Sequence, residues 1–223
     1  MNAIVSCDAA VVAAMDCEAQ SIVAALSGVR SETVRGRRVS FGEAGGRRYA
    51  VIVSGIGKVN AASAAEFAIS ALGAKEIVNA GVAGGLERGM KVADVYEIGR
   101  AAEYDFDLSV FNGGRIGVKD GADTAYAEFS PKGLFPVKTL ATGDRFNDSE
   151  EDNRLITETL GCSVRDMEGA AVAYTAAISG VTARSVKSIS DVAGSGSMPE
   201  QYLRNKTMAL ASLTDALRVY FTK

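Results

Sequence analysis

Short β-branched runs alternate with alanine-rich stretches of helical length along almost the whole chain, and that alternation leaves few folds open. The runs AVVAA (10–14), RYAVIVS (48–54), EIVNA (76–80), VADVYEIGRA (92–101), VKTLAT (137–142), SVRD (163–166) and TARSVKSIS (182–190) predict strands. Helices are predicted over 16–27, 58–72, 150–160, 167–179 and 199–221, with Gly28, Gly73, Gly161 and Gly180 where C-caps belong. Strands as uniformly apolar as "VIV", each followed by a helix, belong in a mostly parallel α/β sheet covered on both faces. No linker, repeat or low-complexity stretch divides the chain, so one domain over 1–223 is expected, with 1–9 as a short tail.

Composition narrows the chemistry. Of 223 residues, 48% are hydrophobic and 23% charged, enough for a sizeable core. A net charge of −3 provides no basic field, which argues against nucleic acid as a partner. No apolar run reaches the roughly 18–20 residues of a membrane span. The N-terminus reads as a tail followed by a strand, without the basic region of a signal peptide. Cys7, Cys17 and Cys162 form neither a CxxC pair nor a disulfide framework, which suits a reducing cytoplasm. The chain has no histidine. Imidazole catalysis and His-based zinc sites are therefore excluded, and proton chemistry must run on carboxylates, Lys, Tyr or Cys.

In parallel sheets ligands bind beyond the carboxyl ends of the strands, and these ends are polar or glycine-rich. They carry Met15-Asp16-Cys17-Glu18, SGIGKVNAA, NAGVAGGL, TGDRF, DMEG and SDVAGSGS in turn. Neither glycine run matches a P-loop or GxGxxG, and tight turns explain them as well as a ligand does. Lys58 reads as a first-turn surface residue. Asp166 is expected as the N-cap of the helix over 167–179, which places Glu168 in a first turn whose dipole favours the ionised form. Glu18 reads equally as a solvent-facing helical residue, and Asp191 as a turn-initiating acid. All three acids nonetheless fall at the same edge of one predicted sheet.

Together AAMDCEA, SGIGKVNAA, NAGVAGGL, TGDRF, RDMEGAAVA and SISDVAG resemble, in order and near spacing, the 5′-methylthioadenosine/S-adenosylhomocysteine nucleosidases of the nucleoside phosphorylase/nucleosidase superfamily. The resemblance runs from about residue 10 to the end. It implies a three-layer α/β/α sandwich with a mixed central sheet, a homodimer, a small purine nucleoside as ligand, and no metal or organic cofactor. It implies that Glu18 activates water, Glu168 binds the ribose hydroxyls and Asp191 protonates the purine. Ser190 would orient Asp191, Met167 would pack on the ribose and Phe146 would lie on the adenine. Met15, Ile56, Asn147 and the glycine-turn residues Val82, Ala83 and Gly84 would complete the base and ribose pocket. An Asp at position 191 further implies 6-amino rather than 6-oxo purines. The division of labour is sound without histidine, since an acid on the leaving base and a base on water act across the sugar in inverting glycosidases.

Three departures stand out. Residues 112–136 are too few and too glycine-rich for the helix and loop the family carries there, which predicts an open pocket for the 5′ substituent. The family's aromatic lid is matched only by Met198 or Tyr202, and Lys187 stands where Arg is expected. Two alternatives remain at this point. A phosphorolytic relative would need a cationic phosphate site, and no Arg flanks the glycine turn at 55–57. A catalytically silent nucleoside-binding protein would not need all three acids.

Overall fold

The computed structural model describes residues 6–146 and 149–223. Asn147, one of the expected site residues, lies outside the described residues. In chain order the elements are β1 (Ala9–Ala13), α1 (Asp16–Val23), β2 (Ser27–Val34), β3 (Arg37–Ala44), β4 (Arg47–Val53), α2 (Lys58–Leu72), β5 (Glu76–Gly85) and β6 (Val95–Glu103). There follow α3 (Ser109–Asn112), β7 (Tyr126–Glu128), β8 (Val137–Thr142), α4 (Glu150–Arg154), β9 (Val164–Asp166), α5 (Gly169–Ile178), β10 (Thr182–Val192) and α6 (Met198–Tyr220). A π-helical turn, Leu155–Thr159, continues α4.

The layers follow from side-chain alternation. In β1, Ala10 and Val12 face α2, where Ala61, Ala64, Ala65, Ala68 and Leu72 make a stripe at helical spacing. Ala9, Val11 and Ala13 face the other way, onto Ala19 and Ile22 of α1 and Leu213 and Leu217 of α6. Both faces of the strand are thus buried, which is why the run carries no polar residue. α5 packs beside α2. Its alanines let it also lie against Ile98, Leu140 and Val164 of β6, β8 and β9.

The sheet is mixed. β1 pairs in parallel with β4 and β5, β10 with β5, and β8 with β6 and β9. β10 runs antiparallel to β6, and the end of β5 antiparallel to β9. β5, β10, β6, β8 and β9 therefore close on themselves as a ring. The ends of β5, β9 and β10 are forced together by that closure.

Five expectations need correction. α1 ends at Val23, and Gly28 lies in β2 instead of capping a helix. β2 and β3 were not anticipated. They form an antiparallel meander with β4 through two-residue turns, and β2 is too polar and exposed to show an apolar alternation. β5 runs on through the glycine stretch to Gly85, so NAGVAGG is strand and not turn. The N-cap of α5 is Glu168, with Asp166 at the end of β9. Lys58 is no free surface residue, since its Nζ lies 2.6 Å from Asp105 Oδ1 and 3.7 Å from Glu103 Oε2. Residues 102–136, expected to be irregular, supply only the end of β6, α3 and β7.

Far from the strand ends just described, Glu97 of β6 is fully buried and anchors the loop before β8. Its Oε1 accepts from Lys132 N at 2.9 Å, and its Oε2 from Gly133 N at 2.7 Å and Leu134 N at 3.1 Å. Glu97→Ala would leave buried donors without an acceptor and is expected to lower stability by about 2–4 kcal/mol. Urea denaturation checks this, and a loss under about 1 kcal/mol would show that the loop does not depend on the carboxylate.

Candidate active site

Glycines inside β5 let carboxylates approach its backbone. A Cβ built on Gly81 would lie 2.3 Å from Glu18 Oε1. One on Gly84 would lie 2.9 Å from Asp191 Oδ2 and 2.8 Å from Met198 Cε. Only glycine leaves that space, the usual reason for glycine within a strand. Glu18, in the first turn of α1, is 3% exposed. Its Oε2 accepts from Ala14 N and Met15 N at 3.0 and 3.1 Å, and its Oε1 from Val82 N at 2.8 Å. The solvent-facing reading of Glu18 is therefore wrong. Burial pushes its carboxyl above the ordinary range, against the opposing pull of Lys187 and the three N–H donors.

Asp191 is 2% exposed and sits where β10 is irregular, the register against β5 shifting between Ile189 and Asp191. Such a bulge re-aims a side chain at the end of a strand. Ser190 Oγ donates to Asp191 Oδ1 at 2.7 Å.

Asp166 joins β9, β8, α5 and β10. It accepts from Thr142 Oγ1 at 2.6 Å, from Glu168 N at 3.2 Å and from Gly169 N at 2.9 Å. It thus caps α5 from outside the helix. Its Oδ2 also lies 2.8 Å from Lys187 Nζ, both side chains being 2% exposed. Burial works to strip the Lys187 proton, but the charges of Asp166, Glu168 and Glu18 outweigh it and hold the ammonium above its ordinary value.

Glu168 accepts from Gly57 N at 2.9 Å, bringing the glycine turn at 55–57 to the mouth of α5. The helix terminus was expected to favour its ionised form. Burial, with the Asp166 charge adding to it, instead pushes the carboxyl up to about 7.

These groups surround one cavity of about 280 Å³. Every expected site residue within the described part of the chain lines it: Met15, Glu18, Ile56, Val82, Ala83, Gly84, Phe146, Met167, Glu168, Ser190 and Asp191. Of the two lid candidates, Tyr202 lines it, with its hydroxyl 3.3 Å from Met15 Sδ and its ring edge-on to Phe146 at 5.5 Å. Met198 is buried behind Gly84. Sequence reasoning missed Ala14, Arg145 and Arg165 as lining residues, and assigned Asp166 only a cap. Arg145 stands next to Phe146 and Arg165 two residues before Met167, so proximity in sequence was the one available signal.

A model of the phosphorylase superfamily matches residues 8–218. The chain is 28% identical over 199 residues to the 5′-methylthioadenosine/S-adenosylhomocysteine nucleosidase of Lysinibacillus sphaericus, covering 83% of this chain and 86% of that one. It superposes with a TM-score of 0.84 on a crystal structure of such a nucleosidase from Colwellia psychrerythraea in complex with adenine. That match has 26% identity and covers 97% of this chain and 94% of the other. Futalosine hydrolase of Helicobacter pylori shares the fold, with a TM-score of 0.84 at 22% identity over 95% of this chain and 97% of that one.

The raised Glu168 carboxyl has a measurable consequence. The folded state keeps a proton that an unfolded chain releases near the ordinary 4.5, so this group's stabilisation is complete below pH 4.5 and is lost as pH rises through about 7. Glu168→Gln removes that dependence. Relative to the parent protein it is expected to gain about 3 kcal/mol between pH 4.5 and pH 8. Urea denaturation across that range checks it; a pH-independent difference would mean that Glu168 titrates normally.

Proposed function

The chain belongs to the phosphorylase superfamily, and from that premise we propose that it hydrolyses the N-ribosidic bond of a 5′-substituted adenine nucleoside, releasing adenine. The observation that carries this reading is the placement of buried Glu18 over Gly81 and buried Asp191 over Gly84 in one cavity, with Glu168 between the glycine turn at 55–57 and α5. Gly81 and Gly84 are separated by roughly 10 Å of strand. The two acids thus meet the cavity at different points along β5, the arrangement that an acid and a base acting across a sugar need.

In this reading Asp191, oriented by Ser190, delivers a proton to the departing purine. Glu18 takes one from the attacking water. Its carboxyl is raised by burial, which makes it a stronger base than an exposed glutamate. Glu168 accepts hydrogen bonds from the ribose hydroxyls, and in its ionised form, which prevails above about pH 7, its charge favours the cationic character that develops on the sugar. Met167 and Phe146 supply apolar surface for ribose and base. The 5′ group, methylthio or homocysteinyl as in the names of the relatives, extends to the mouth, where Ile56 and Phe146 are half exposed.

Phosphorolysis is the weaker reading, although two arginines do line the cavity. Arg145 is held by Asp152 at 3.2 Å, and Arg165 lies against Gly84, at the Asp191 end. The cation facing Glu18, Lys187, is bound to Asp166. A phosphate at the nucleophile's position would meet the Glu18 carboxylate instead of a free cation. A homodimer is supported by exposed Val110 and Phe111 on α3 and Val59 on α2. The Lys58–Asp105 ion pair ties the segment before α3 to the start of α2, beside the cavity. Three free cysteines fit a cytoplasmic setting.

Incubation with 5′-methylthioadenosine is expected to release adenine at the same rate with and without phosphate. Phosphate-dependent release would make the enzyme phosphorolytic, and binding without release would make it a sensor. Asp191→Asn keeps shape but cannot deliver a proton. It is expected to slow turnover by about 10²–10⁴-fold while binding is largely retained; turnover within about tenfold of the parent would remove Asp191 as the acid.

A further inference from the structure

We propose that Arg165 is a specificity-determining residue of the base pocket, donating a hydrogen bond to an acceptor at the 6-position of the purine, so that the chain cleaves 6-oxo as well as 6-amino purine nucleosides. This inference rests on the nucleosidase reading above and concerns the base.

Arg165 lines the cavity yet is only 5% exposed. Its Nη1 donates to the neutral Asn153 Oδ1 at 3.1 Å. Its Nη2 is buried and has no hydrogen-bond partner, and no carboxylate among the described residues forms an ion pair with it. A buried guanidinium with a donor unused is unfavourable in a protein interior. Its retention beside a cavity is explained when a ligand supplies the acceptor. Anchoring Asn153 does not account for it, because a neutral amide would serve there at lower desolvation cost.

Topology tells which part of the ligand it meets. The β5–β9 register pairs Arg165 with Gly84, and the β5–β10 register pairs Asp191 with the same glycine. A Cβ on Gly84 would lie 3.3 Å from Arg165 Cγ and 2.9 Å from Asp191 Oδ2. The two side chains thus flank one backbone position from two neighbouring strands. An acid that assists departure of a purine protonates N7, the imidazole nitrogen not bonded to ribose. The next group along that edge is the 6-substituent. Arginine only donates. It opposes the N–H donors of a 6-amino group and matches a 6-oxo group, as in its recurrent pairing with the O6 and N7 edge of guanine. Asp191 alone points to 6-amino bases; Arg165 adds the donor that a 6-oxo base needs.

The test compares kcat/KM for 5′-methylthioinosine and 5′-methylthioadenosine in the parent protein, Arg165→Met and Arg165→Gln. In the parent the two substrates are expected within about tenfold of each other. In Arg165→Met the inosine-to-adenosine ratio is expected to fall about thirtyfold, the worth of one hydrogen bond from a charged donor, with Arg165→Gln between. A parent that favours the 6-amino substrate by about 10³-fold or more overturns the proposal while leaving the nucleosidase reading intact. So does an equal loss on both substrates, which is what a structural role of Arg165 would give. If the parent cleaves neither, the nucleosidase reading fails, and equilibrium binding of hypoxanthine and adenine decides on Arg165. Hypoxanthine weakened selectively in Arg165→Met supports the contact, and unchanged binding refutes it.

Discussion

The ion pair between Lys187 and Asp166, 2.8 Å apart and shut off from solvent, is the contact on which the rest of the site depends. It joins the middle of β10 to the end of β9. The same carboxylate holds the first N–H groups of α5 and the hydroxyl of Thr142, so two strands, a helix and the end of β8 meet on one group. A buried pair of this kind contributes little net stability against an apolar substitute, but losing one partner leaves an uncompensated charge and typically costs about 3–5 kcal/mol. Its larger effect is on its neighbours. Glu18 and Glu168 are crowded and desolvated, and the Lys187 ammonium, with backbone N–H donors, limits how far their protons are retained.

Glycine provides the other half of the construction. β5 is central, buried on both faces and paired to β1, β9 and β10. Side chains at 81 and 84 would occupy the space that Glu18 and Asp191 fill. Leaving those positions bare brings the acids against strand backbone, where Glu18 finds the Val82 N–H. Ring closure through β5, β10, β6, β8 and β9 then gathers strand ends distant in sequence around one cavity. The geometry of the cavity here comes largely from backbone exposed by glycine and from strand registry.

Much of this was legible from residues alone. The apolar strands, the alanine helices and the acids at strand ends each carry their own signal, because burial on both faces demands uninterrupted apolar runs and ligands collect at carboxyl ends. Glu18, Glu168 and Asp191 were picked out on that logic, and the resemblance supplied their neighbours Met15, Ile56 and Phe146. β2 is hidden because its residues mix charge with small groups at an exposed edge, and β3 because its buried apolar signal is confined to Val39 and Phe41, flanked by charged residues. The glycine stretch reads as a turn because Gly81, Gly84 and Gly85 interrupt the alternation of side chains that marks a strand. Asp166 reads as an ordinary cap, since nothing local reveals that Lys187, 21 positions on, reaches it.

What the sequence by itself determined is the α/β class, the absence of imidazole chemistry and the set of carboxylates available to replace it. These follow from periodicity and composition, which are local properties. Tertiary structure alone decided the protonation preferences, the pairing of Lys187 with Asp166 and the arrival of Arg165 beside Asp191. Each depends on which strand ends face one another across a closed ring and on how completely water is excluded there. Charge interactions in a buried site are set by distances and solvation, and neither is written in the order of residues.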